Sequence, residues 1–198
     1  MRSILLAFCL FSAPAFATSE APEPTLQTGQ DAAALRAELS HKRADLITEL
    51  RRYAEAGNFP VNDFQTGLAN QFMDDEGNLC AMAYLIVSTG NYPLVAATWH
   101  SNNGLRFEGL TDGPVYDWVL SSGLLLEEAA MVQVPEMEIM PIHSEALMPL
   151  EVERQRSHLL AVATSLELTT ERSLDEAVQR LGGGEVVAVV SSTGTPAL

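Results

Sequence analysis

Cysteine is nearly missing from this chain of 198 residues, which has only Cys9 and Cys80, and Cys9 lies inside the apolar run at the start. With that run removed, Cys80 stands alone. A disulfide framework is thereby excluded, and stability falls to a hydrophobic core, for which an apolar share of 47% suffices. Positive charge is scarce as well. Lys and Arg number 11 against 26 Asp and Glu, a formal net charge of −15. Such a field repels phosphate backbones and anionic headgroups, so nucleic acid and charged membrane surfaces are excluded as partners. No apolar stretch reaches the roughly 20 residues of a membrane span, and no motif with a specific chemical reading occurs anywhere in the sequence.

What is present begins with an address. Met1-Arg2-Ser3 is followed by the apolar Ile4 to Phe11 and then by Ala15-Phe16-Ala17. A short positive start, an apolar middle and a small-residue cleavage site are expected to form a secretory signal peptide over residues 1–17, placing the mature protein in the periplasm or outside the cell. Residues 18–30 are rich in proline and threonine without apolar period and read as a flexible spacer.

The spacing of apolar residues predicts a mostly α protein: a small helical core domain over 31–135 with up to two short β-strands, and a helical C-terminal extension over 136–198. Asp31 is the expected cap of a helix through Ala56, with Leu35, Leu39, Leu46, Leu50 and Tyr53 on one stripe. The opposite face, Arg36, Lys42, Arg43, Glu49 and Arg51, reads as solvated. Asn78 is the expected cap of a buried helix Leu79–Ser88, Pro93 sits in the first turn of another, and further helices are expected from Pro114 to Ser122 and from Leu125 to Gln133. Short strands are expected at Gln71–Met73 and Leu105–Glu108, and an edge strand at Val186–Val190. In the extension a helix is expected over Glu151–Leu166, and Ser173-Leu174-Asp175-Glu176 reads as a capping box opening a last helix to Leu181. Because the apolar helices precede Pro135, the domain is expected to fold without the extension.

Several ordered motifs, Gly57-Asn58-Phe59-Pro60, the run Phe72-x-Asp74-x-x-Gly77-x-x-Cys80-Ala81 ending in Leu85-Ile86, and Trp118 followed by Ser122-Gly123-Leu124 and Glu128-Ala129, resemble those of a group of small exported bacterial proteins of uncharacterised function. The resemblance covers about Ala44 to Pro135 and carries no activity, ligand or catalytic residue. The chain departs from that pattern at Leu125, where a threonine would cap the next helix, and in its long extension.

Four groups of residues carry a chemical reading beside a structural one. Cys80, near a helix start, would be favoured as thiolate and with His100 or His143 as base would make a cysteine-dependent hydrolase or transferase. No cysteine-protease signature flanks it, and a lone cysteine is usually a core residue. Met137, Met140 and His143 offer soft ligands for Cu(I), against ordinary packing by methionine. The carboxylates Asp74-Asp75-Glu76 lack the alternating spacing of a calcium loop, and Glu127-Glu128 falls where a helix dipole favours negative charge. Trp99 and Trp118 lie among aliphatic neighbours and read as core anchors. The expectation is therefore an acidic, exported, non-catalytic protein without cofactor or metal that contacts another protein or an envelope component.

Overall fold

The computed structural model describes residues 28–62, 66–134, 136–137 and 144–182. The expected leader, most of the spacer and the edge strand at Val186–Val190 lie outside the described residues. The fold is mostly helical, as the periodicity indicates. Helix α1 runs Thr28–Ala56, α2 Ala81–Ser88, α3 Tyr92–Asn102, α4 Pro114–Ser122, α5 Leu126–Val132, α6 Ser144–Leu168 and α7 Thr170–Gly182. Strands β1, Leu68–Ala69, and β2, Glu136–Met137, pair antiparallel with Leu68 against Met137.

The core assembles on α1. Its stripe of Leu46, Ile47, Leu50, Tyr53 and Ala54 packs with Met82, Ala83, Leu85 and Ile86 of α2, Val95 of α3, Trp118 and Val119 of α4, and Ala129 and Val132 of α5. Helix α2 is buried nearly all round, which is why its sequence has no polar side to read. Tyr53 stands at the centre of an aromatic group, with Phe59 at 5.2 Å and Tyr84 at 5.0 Å between ring centroids.

Residue 135 does not mark a break in packing. Leu159, Val162, Ala163 and Leu166 of α6 enter the same core, and Leu174 and Ala177 of α7 close a smaller cluster with Leu39 and Leu125. Burying one large aliphatic side chain contributes about 1.5–3 kcal/mol, so α6 and α7 supply a substantial share of the apolar free energy. They follow α1 in the opposite direction. Arg156 Nε donates to Ala54 O at 3.2 Å near one end, Arg51 pairs with Glu167 at 2.5 Å further along, and Arg36 reaches Glu171 at 2.6 Å and Asp175 at 3.1 Å near the other. Of the face of α1 expected to be solvated, Arg36, Arg43 and Arg51 are thus engaged by partners more than a hundred residues away, while Lys42 and Glu49 pair with nearer groups.

Both strand expectations within the core domain need correction, for one physical reason. At Phe72 and Met73 the side chain of Asn103 stands in for a neighbouring strand: its Oδ1 accepts from both backbone N–H groups, at 2.9 and 3.1 Å, and its Nδ2 donates to Met73 O at 2.9 Å. Only an isolated bridge, Met73 with Leu79, remains there. At Leu105–Glu108, Gln133 does the same, donating to Leu105 O at 2.6 Å and accepting from Phe107 N at 3.1 Å. Two carboxamides satisfy the backbone that the apolar alternation assigned to strands.

Helix starts shift too. Asp31 lies inside the first turn of α1 rather than at its cap. Asn78 is not the cap of α2, because its amide and side chain are taken by Asp74 at 2.8 Å each; the cap is Cys80. Helix α6 begins at Ser144 and accommodates Pro149, and α7 begins at Thr170, leaving Ser173 wholly buried instead of capping.

Candidate functional site

The turn that leads into α2 is organised by Asp74. Its carboxylate accepts the N–H groups of Glu76 at 3.0 Å, Asn78 at 2.8 Å and Val61 at 3.2 Å, and the carboxamide of Asn78 at 2.8 Å. Asp75 and Glu76 face water. This geometry delivers Cys80 to the cap of α2, where its Sγ accepts the N–H of Ala83 at 3.4 Å. The residue is 3% exposed and its neighbours Ala81, Met82 and Ala83 are buried. Sulfur acting as a cap acceptor inside an apolar shell is withdrawn from attack on a substrate. His100 lies in the last turn of α3, exposed, its ring 4.5 Å from that of Trp99. His143 and Met140 lie outside the described residues, and of Met137 the structure gives the backbone, in β2. Among the described residues no three of His, Cys, Asp and Glu gather to hold a metal ion.

The two tryptophans differ. Trp118 is a core anchor whose Nε1 donates to Thr89 Oγ1 at 3.0 Å, while Trp99 is half-buried.

Glu128 and Arg43 form the site that sequence reasoning missed. Arg43 is fully buried and Glu128 is 4% exposed. They meet in a fork, Nη1 to Oε2 at 2.6 Å and Nη2 to Oε1 at 2.7 Å. Arg43 also donates to Gly123 O at 2.9 Å and to Leu166 O at 2.7 Å, and Glu128 accepts from Leu125 N, Thr169 Oγ1 and Ser173 Oγ. Burial pushes the Glu128 carboxyl up, but the guanidinium of Arg43, the Leu125 N–H and the Ser173 hydroxyl outweigh it and hold the group below its ordinary range. Leu125, which lacks a capping side chain, is served from the other end by this carboxylate. Gly123 makes the approach possible: at φ +82° it turns the chain so closely over α1 that a Cβ would stand 2.4 Å from Leu39 O. The signal available in the sequence was a pair of carboxylates, Glu127 and Glu128, set within the apolar row Leu124, Leu125, Leu126, Ala129 and Ala130.

An open cleft of about 620 Å³ lies on the outer side of α5. Phe107, Leu110, Leu126, Ala130 and Met131 give it an apolar floor, and Arg106, Glu108 and Glu127 stand at its edges. The Gln133 bonds to Leu105 and Phe107 hold one wall in place, and His158 Nε2 meets Met131 O at 3.0 Å behind the other. Met131 remains 44% exposed. A preformed concavity with an apolar floor and a polar rim is suited to receiving a side chain or a short segment of another molecule. Set against protein-family models, curated proteins and solved structures, the chain matches none of them.

Proposed function

We propose that this is an exported, non-catalytic protein that contacts another protein or an envelope component, and that the cleft beside α5 is the contact surface. The observation that carries the reading is the contrast between the interior and the cleft. The cysteine and the buried carboxylate are both engaged in structural bonds, as cap acceptor and as partner of Arg43, whereas the cleft holds a partly exposed methionine and three charged side chains around an apolar floor. Export rests on the leader Met1–Ala17 and places the mature N-terminus at Thr18. No helix among the described residues is long and apolar enough to cross a membrane.

The test is site-specific photo-cross-linking in the producing cell, with benzoylphenylalanine at Leu110 on the cleft and at Tyr92, exposed on α3. A discrete adduct in the envelope or secreted fraction from position 110 and none from position 92 is expected. Equal labelling from both positions, or none from position 110, overturns the assignment of the cleft. Intact-mass analysis of the same fraction that found residues 1–17 retained would overturn export.

A further inference from the structure

We propose that Asn103-Gly104 is a deamidation site held shut by the fold, so that its conversion records each opening of the segment that Asn103 pins. Of the seven asparagines in the chain, only Asn103 is followed by glycine. That pair is the most prone to ring closure, because glycine carries no side chain to obstruct its own backbone nitrogen. The reaction is base-assisted and consumes only water. Gly104 N gives up its proton and attacks Asn103 Cγ; the Cγ–Nδ2 bond breaks and ammonia leaves with a proton. Water then opens the resulting succinimide at either carbonyl, leaving aspartate or isoaspartate at position 103.

The structure opposes the first step. The Asn103 Oδ1 accepts from Phe72 N and Met73 N at 2.9 and 3.1 Å, its Nδ2 donates to Met73 O at 2.9 Å, and its backbone O accepts from Phe72 N at 2.8 Å. Asn103 is also helical, at φ −59° and ψ −25°, and the ring closes only when the carboxamide and this ψ are both released. Water is at hand, since Asn103 is half-buried and Gly104 exposed. The backbone does not require glycine at this point. Seven described glycines have positive φ, but Gly104 is not among them, and a Cβ on it would meet Asn70 O at 3.5 Å, an ordinary contact.

Conversion is felt beyond position 103. A carboxylate has no N–H for Met73 O and sets negative charge against that carbonyl, and isoaspartate adds a methylene to the main chain. Phe72, once released from the pin, carries the change onward: its ring stacks on that of Phe107, 6.0 Å away between centroids, and Phe107 lies in the floor of the cleft. Loosening therefore runs from position 103 through residues 72–73 to residues 105–107, whatever the cleft receives.

Peptide mapping of the mature protein kept at mildly alkaline pH tests this, read as the amide-to-acid mass gain at each asparagine. In the urea-unfolded chain Asn103 should convert first of the seven. In the folded protein it should convert about tenfold or more slowly, as a site that reacts only on local opening must. In urea below the unfolding transition its rate should rise in step with amide exchange at Phe72 and Met73. Another asparagine converting first when unfolded, equal rates folded and unfolded, or a folded rate indifferent to that exchange overturns the proposal. Gly104→Ala should slow conversion of the urea-unfolded chain several-fold, a comparison that does not depend on how the variant folds; undiminished conversion overturns it as well. Finally, Asn103→Asp should raise amide exchange at 72–73 and 105–107 several-fold while α6 and α7 keep their native rates, and unaltered exchange overturns the pin.

Discussion

Asp74 and Glu128 are both carboxylates withdrawn from water, at 7% and 4% exposure, and they are satisfied in opposite ways. Asp74 takes neutral N–H groups, all from residues 61–78, so the segment that bends around it supplies its own solvation. Glu128 takes a guanidinium from 85 residues earlier and hydroxyls from Thr169 and Ser173, 41 and 45 residues later. The first carboxylate shapes a turn. The second joins α1, the α4–α5 junction and the α6–α7 corner, so that three distant regions become one body.

If Glu128 joins regions while Asp74 shapes one, removing the last region should do the greatest damage. A chain ended before Ser144 loses Leu159, Val162 and Leu166 from the core and takes Leu166 O, Thr169 and Thr170 away from Arg43. We expect it to show no cooperative thermal transition by circular dichroism, contrary to what the sequence alone suggested; a normal transition would restore the division at residue 135.

Next in size is Arg43→Met, which strands the Glu128 carboxylate. Breaking a buried pair from one side costs about 3–5 kcal/mol, readable as a shift in the urea midpoint at unchanged slope. The double variant with Glu128→Leu should recover much of that loss, since neither charge is then left alone. A double variant as weak as the sum of the singles would mean that the pair is not the joint described.

Acid attacks the same joint. Because Glu128 is held below its ordinary value of 4.5, it binds fewer protons folded than unfolded as the pH falls through that value. Its contribution is complete above pH 4.5 and is lost on further acidification toward the folded pKa. The stability difference between the native protein and Glu128→Gln should therefore be level at neutral pH and shrink in acid. A difference that widens in acid contradicts the direction.

Asp74→Ala should cost less, about 1–3 kcal/mol from the unpaired turn amides, and its faster amide exchange should stay within 61–79 rather than spread to α6. Smallest is Cys80→Ala, which removes a cap acceptor and leaves a small cavity, about 1 kcal/mol together. The native thiol should resist iodoacetamide at neutral pH and react on unfolding. Rapid alkylation of the folded chain near pH 6, abolished by replacing His100 or His143, would instead favour the hydrolase.

What was legible in the sequence follows the same division between local and distant. The stop at Gly57, the buried helix after the Asp74 turn, Pro93 in a first turn and the Gly123 stop each depend on neighbours within a few residues. Leu105–Glu108 was misread because its strand partner is a single side chain, Gln133. Arg43 was misread because a charged row on an amphipathic helix looks alike whether water or a second helix covers it. The cleft had no local signature at all, since Phe107, Leu110 and Met131 meet only after α5 has packed.

The reach of Arg43 has a consequence for the order of events while the chain is being made. Its side chain bonds to residues 80 to 127 positions further on, so α1 emerges early with a guanidinium that has nowhere dry to go. Until Leu166, Thr169 and Thr170 have been added, that guanidinium lacks three of its bonding partners. Closure waits for the final quarter of the polypeptide. The joint is a long-range one, and loops of that length close slowly.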